Sequence, residues 1–236
     1  MVYVTSDLHG YALNKFKLLL DKAGFGQDDF LFVIGDVIDR GNDGVELLKW
    51  MMVQPNVQLI MGNHEAMMLS CSFLMDEITE DAVDRLNSYR LRLLTTWKLN
   101  GGRTTLDGLV KEDPETRADI LDYIRDCPLY DSVSVGGRDF LLVHAGLGNY
   151  EKGKKIDEYS ESELLWMRPT LTDRYSSKFT TIFGHTPTVH YGKQYSGRAI
   201  KTDTWINVDS GAACGFAPML LRLNDMKEFY ADESVD

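Results

Sequence analysis

A chain of 236 residues, 44% hydrophobic and 26% charged, has the apolar content of a soluble globular protein and the length for one large core. Its 36 acidic residues against 25 basic ones leave a net charge of −11, which argues against nucleic acid and anionic membrane as partners. An anionic substrate stays open, because a bound divalent cation reverses the sign locally.

The opening "MVYVTSDLHG" has no basic start and no long apolar stretch, so it does not read as a secretory leader. No run reaches the length of a membrane span. "VYVTS" (2–6) reads as a buried strand, and Leu13, Phe16, Leu19 and Leu20 then share one helix face. "FLFVI" (30–34) is a second strand, and Val45, Leu47, Leu48 and Met51 mark a second helix. "VQLIM" (57–61) is a third strand, with a Met- and Leu-rich helix starting near His64. Strands alternating with helices imply parallel pairing through right-handed crossovers.

Residues 77–128 are mostly helical and highly charged, and read as a helical insertion within a single domain spanning 1–236. In it, "EDPETRADILDYIRD" fits a helix with Asp113 as N-cap and Pro114 at the first helical position. "NGGRTTL" is Gly-rich but lacks the Lys and spacing of a nucleotide P-loop, so a turn is expected. "DSVSVGGRDFLLVHAG" is a hairpin turning at Gly136-Gly137. "FTTIF" (179–183), "WINVD" (205–209) and "MLLRL" (219–223) are further strands, and "DEYSESELLWMR" carries a short helix. The tail from Lys227 onward is polar and expected to be marginal. Cys71, Cys127 and Cys214 lack ligand-like spacing and fit reduced thiols, which makes a cytoplasmic enzyme the expectation.

Polar residues recur where strands end: Asp7 and His9, then Asp36, Asp39 and Arg40, then Asn63 and His64, then His144, then His185. In open α/β sheets such loops converge at one edge, where ligands bind. Imidazoles, carboxylates and a carboxamide without thiolates suit Mn, Fe or Zn ions. The set is too large for one catalytic ion and about enough for two sharing a carboxylate, an arrangement that hydrolyses phosphate esters. His190 lies in an alternating segment with no partner motif and reads as structural or surface. Glu65 and Asp209 are each explained equally by support of a ligand and by local helix or turn chemistry.

"SDLHG", "GDVIDRG", "GNHE", "HAG" and "FGHTP" occur in the order seen in the phosphoprotein phosphatase family of metallophosphoesterases, and the chain resembles that family over residues 5 to about 215. "LLWMR" and "NGGRTTL" are similar to segments of its bacterial and phage branch. The resemblance implies an α/β (α+β) fold, a central β-sandwich flanked by helices with metals at the sheet edge. It also implies two divalent ions, Mn first, with Fe, Zn, Co or Ni as alternatives. Asp7 and His9 would bind one ion, Asp36 would bridge both, and Asn63, His144 and His185 would complete the second. His64 would be the general acid, held by Asp39, and a metal-bridging hydroxide would attack in line. Arg40 and Arg168 would bind the phosphate, with Asn63 and His64 beside it. The implied substrate is a phosphorylated protein or peptide, with no nucleic acid or membrane partner; nothing in the sequence specifies an oligomer. Two alternatives stand: a symmetrical dinucleoside polyphosphate hydrolase, whose usual "GDxxARG" and "GNHD" differ from this chain at Asp39 and Glu65, and an inactive metal-binding scaffold.

Overall fold

Three strands, β1 (Val2–Ser6), β2 (Phe30–Ile34) and β3 (Val57–Ile60), lie parallel in the computed structural model, which describes residues 1–74 and 87–231. Each is buried on both faces, which is why each reads as an unbroken apolar run rather than an alternating one. Tyr3, Leu31 and Val33 face one layer, made largely of helices, while Val4, Phe32 and Ile34 face a second sheet. The crossover helices are α1 (Leu13–Ala23) and α2 (Gly44–Met52), which bury Phe16, Leu19 and Leu20, and Val45, Leu47, Leu48 and Met51. α3 (Asn63–Ser70) follows β3 after two residues.

The expected insertion is helical where it is described; its residues 77–86 lie outside the described residues. α4 (Ser88–Trp97) runs through a wide π-type turn (Lys98–Gly102) into α5 (Arg103–Leu109). "NGGRTTL" is therefore a helical junction and not the expected turn. Next comes α6 (Pro114–Arg125), where the Asp113 side chain accepts the Thr116 N–H at 2.9 Å, an N-cap of the kind typically worth about 1 kcal/mol.

The second sheet has the order β4-β5-β6-β8-β7, from β4 (Tyr130–Val135), β5 (Arg138–Val143), β6 (Thr180–Phe183), β7 (Ile200–Lys201) and β8 (Trp205–Asn207). β4 and β5 form the expected hairpin, and β5, β6 and β8 run parallel. Its outer face packs Val143, Phe183 and Trp205 against Tyr159, Tyr175 and Leu164, the last from the short α7 (Glu161–Leu165). β9 (Met219–Arg222) returns to pair antiparallel with β1, and β10 (Lys227–Tyr230) pairs with β9. The segment from Lys227, expected to be marginal, is thus an edge strand: its backbone completes the ladder and Phe229 is buried. The result is a two-sheet sandwich flanked by helices. No described helix is long and apolar enough to cross a membrane, and all three cysteines are free thiols.

Candidate active site

The carboxyl ends of β1, β2, β3, β5 and β6 open onto one edge of the sandwich. Asp7 and His9 follow β1, Asp36, Asp39 and Arg40 follow β2, and Asn63 and His64 begin α3. His144 and His185 follow β5 and β6. All but Arg40 are buried. Eight described non-glycine residues have positive φ, and six are Asp7, His9, Asp36, Asp39, Arg40 and His185. Backbone strain is therefore concentrated where the polar side chains converge, as it is at sites whose geometry the rest of the fold enforces.

Two bonds tie the sheets together at this edge. The His185 N–H donates to Asp7 Oδ2 at 2.9 Å, and His144 Nδ1 lies 3.1 Å from the Ile34 carbonyl. His9 Nδ1 likewise sits 3.2 Å from the Ile38 carbonyl. An N–H donated to a carbonyl leaves the opposite ring nitrogen as a lone pair, the tautomer that ligating histidines adopt.

Those Nε2 atoms turn toward oxygen. His144 Nε2 lies 2.9 Å from Asn63 Oδ1, 3.2 Å from His185 Nδ1 and 3.3 Å from Asp36 Oδ1. His9 Nε2 is 3.7 Å from Asp36 Oδ2 and 3.9 Å from Asp7 Oδ1. Asp36 thereby belongs to both clusters, one oxygen toward each. Asp7 Oδ1 and His185 Nε2 are buried without a hydrogen-bond partner. Facing lone pairs and orphaned buried atoms are costly unless a cation satisfies them, so these residues fit divalent metal ions.

The electrostatics agree. Burial pushes the Asp7 carboxyl up to about 6 and drives the His9 and His185 imidazoles down to about 3 and about 2. Burial also opposes charge on His144, yet the carboxylates of Asp36 and Asp7 outweigh it and raise its pKa to about 10. Asp36 is held well below the usual carboxylate range, His144 and His64 overcoming its burial.

His64 lies within ligand distance of His9 and Asp36, its Nε2 3.8 Å from Asp36 Oδ2, but unlike the other imidazoles it has a carboxylate on its Nδ1. Its Nδ1 is 2.6 Å from Asp39 Oδ2, and Arg40 Nη2 donates toward its Nε2 at 3.2 Å in the tautomer protonated on Nδ1. Burial would lower its pKa, but Asp36 and Asp39 raise it. Protonation would push Arg40 off that nitrogen. Arg168 is exposed at the rim, its Nη1 3.4 Å from Thr186 Oγ1 and 3.5 Å from the His185 carbonyl.

Glu65 and Asp209, left open by the sequence, and His190 take definite places. Glu65 is fully buried and accepts the backbone N–H groups of Gly62 and Asp36 on one oxygen and of Val37 on the other. It stitches two site loops together, both its oxygens turned to backbone N–H groups. Asp209 accepts the Gly211 N–H at 3.0 Å while its other oxygen is buried without a partner, so it is both a turn residue and part of the polar floor near Asp7. His190 is exposed and belongs to neither group of ligand-like residues.

Sequence reasoning missed Trp97 and Thr105, which reach Asp39 from the insertion. Trp97 Nε1 donates to Asp39 Oδ2 at 2.9 Å, and Thr105 Oγ1 donates to Asp39 Oδ1 at 2.5 Å. No local sequence signal announces them, since the bonds span 58 and 66 residues. Also missed was Trp166, 44% exposed with its ring 6.2 Å from that of His185.

The chain is similar to known proteins in sequence and fold. The family described as calcineurin-like phosphoesterase matches residues 1–213. Serine/threonine-protein phosphatase 2 of Salmonella typhimurium is 27% identical over 90% of this chain and 88% of its own length. The symmetrical bis(5'-nucleosyl)-tetraphosphatase of Pseudomonas fluorescens is 30% identical over 61% of this chain, which spans only 42% of that relative. Among solved structures, a candidate diadenosine tetraphosphatase superposes with a TM-score of 0.63 at 18% identity, over 96% of this chain and 90% of that one. At that identity the likeness speaks for the fold alone.

Proposed function

This chain belongs to the calcineurin-like phosphoesterase family, and we propose that it hydrolyses phosphomonoesters, with phosphoserine and phosphothreonine of proteins or peptides as the main substrates. The observation that carries this reading is the buried Asp39–His64 pair at 2.6 Å. Serine and threonine leave as alkoxides, poor leaving groups that need a proton as the P–O bond breaks. A polyphosphate leaves readily without one. A buried, oriented acid is therefore most useful on an alkyl monoester, where such a group typically contributes about 10²–10⁴-fold.

Asp7, His9 and Asp36 would hold one divalent ion, and Asp36, Asn63, His144 and His185 a second, with Mn the first choice. Bound there, such ions supply Lewis acidity toward the phosphoryl oxygens and the attacking water. Arg40 and Arg168 would pair with the remaining phosphate oxygens through their planar forks. A phosphate drawing Arg40 toward itself frees His64 Nε2 to face the leaving oxygen, while Asp39 holds the Nδ1–H and stabilises the imidazolium. The phosphatase of Salmonella typhimurium, similar over nearly the whole chain, supports the same reading.

One observation favours a second reading, a symmetrical dinucleoside polyphosphate hydrolase. The exposed Trp166 beside His185 offers a stacking face for a base, and the Pseudomonas fluorescens relative bears that activity in its name. The deciding experiment is a substrate panel with Mn-reconstituted protein and its His64→Asn variant. Phosphoserine peptide should lose about 10²-fold or more in kcat, and p-nitrophenyl phosphate less than about 10-fold. Equal losses on both, or a clear preference of the parent for diadenosine tetraphosphate, would overturn the phosphomonoesterase reading.

A further inference from the structure

We infer that Trp97 and Thr105 are positioning residues for the general acid, acting through Asp39 from the helical insertion. This rests on the reading of His64 as proton donor.

Asp39 is an acceptor with two oxygens, and its orientation decides which of them faces His64. Thr105 fixes one end. Its hydroxyl accepts the Asp39 backbone N–H at 2.9 Å and donates to Asp39 Oδ1 at 2.5 Å, so one oxygen atom ties the backbone of Asp39 to its own carboxylate. Trp97 fixes the plane. Its Nε1–H straddles the carboxylate, 2.9 Å from Oδ2 and 3.2 Å from Oδ1. What remains of Oδ2 is directed at His64 Nδ1. Indole nitrogen only donates and carboxylate only accepts, so the polarity of this arrangement cannot reverse. Asp39, Trp97, Thr105 and His64 are all buried, and water does not compete for the bonds.

The glycines of the π-type turn serve the same geometry. A Cβ on Gly102 would stand 2.4 Å from Trp97 Nε1, so only glycine lets the indole lie where it reaches Asp39. Gly101, at φ +102°, accepts the Arg40 N–H on its carbonyl at 3.1 Å, and a Cβ there would meet Arg40 Cγ at 2.7 Å. The junction between α4 and α5 therefore grips Asp39 by its side chain and Arg40 by its backbone. The insertion reaches the site from the side, as the mount of the proton donor and of the neighbouring phosphate-binding arginine.

A structural role would also satisfy the buried Trp97 N–H, and leaving-group dependence separates the two. The test compares Trp97→Phe, Thr105→Val, Thr105→Ser and the His64→Asn reference as Mn-loaded full-length proteins. Each is assayed on phosphoserine peptide and on p-nitrophenyl phosphate, with bound Mn and Tm recorded. A displaced acid should cost the peptide about 10–100-fold in kcat with KM and bound Mn unchanged, and the aryl ester about 3-fold or less. Thr105→Ser, which keeps the hydroxyl, should stay within about 3-fold of the parent on both substrates. Thr105→Val placed on His64→Asn should add little, because the acid it positions is already gone. Equal losses on both substrates, or full additivity with His64→Asn, would overturn the inference. His64→Asn with no leaving-group dependence would instead remove the acid reading itself, and the inference with it. Trp97 and Thr105 bond to the carboxylate independently, so either variant alone carries the test if the other fails to fold.

Discussion

At the two ends of the sandwich glycine meets different demands. At the hairpin end, Gly136 and Gly137 have φ of +59° and +76°, and a Cβ on either would meet nothing within 4 Å. At the catalytic end, Gly184 is not in the left-handed region, yet a Cβ there would lie 2.0 Å from Asp7 Oδ2 and 2.3 Å from Ser6 Oγ. The first end needs only a backbone that turns, and the second needs the space. Side chains pack so tightly at the catalytic end that strain is carried by the polar residues themselves, with Asp7, Asp36 and His185 in the left-handed region. The difference teaches that the turn rests on torsion alone and the site on volume as well, since Gly10 and Gly35, at φ +64° and +70°, would also carry a Cβ to 2.5 Å of a neighbour.

That contrast can be broken. Gly184→Ala should have the largest effect, because it must displace Asp7 or Ser6. Activity should fall about 100-fold or more, the scale of a 1 Å misplacement, with weaker Mn binding in a metal titration. Glu65→Gln comes next. It turns an amide N–H₂ toward backbone N–H groups that now meet a carboxylate, and should cost about 1–3 kcal/mol in chemical denaturation together with part of the activity. Gly136→Ala should be smallest, about 1 kcal/mol of left-handed backbone strain in the same measurement, with kcat unchanged. If Gly136→Ala damaged turnover as much as Gly184→Ala, the distinction between the two ends would fall.

Much of this was legible from the residues. β1 and β2 fall on the expected spans because an apolar run bounded by polar turns leaves little choice. Asp113 caps its helix as read, and the strand-end residues from Asp7 to His185 converge at one edge. What was hidden was tertiary. β10 is a strand because β9 offers it a ladder, which the polar "KEFY" does not announce. "NGG" looked like a turn because glycine usually marks one, while the need for it comes from Arg40 and Trp97. The Trp97–Asp39 and Thr105–Asp39 bonds span 58 and 66 residues, beyond any local pattern. Glu65 looked like a marker of substrate class, but its carboxylate bonds only to backbone, so its identity reports on loop packing.

The bond from the His185 N–H to Asp7 Oδ2 spans 178 residues, and that from His144 to the Ile34 carbonyl spans 110. Contacts of such separation are slow to form, since a long loop must close before they repay its entropy. The first sheet can bring Asp7, Asp36 and His64 together early, but the histidines that complete the cluster arrive only when the second sheet docks. A chain emerging from the ribosome would therefore carry half a site until residues beyond 185 are free to fold back. Competence would come at the end of folding, in one step, and a partly folded chain would have none of it.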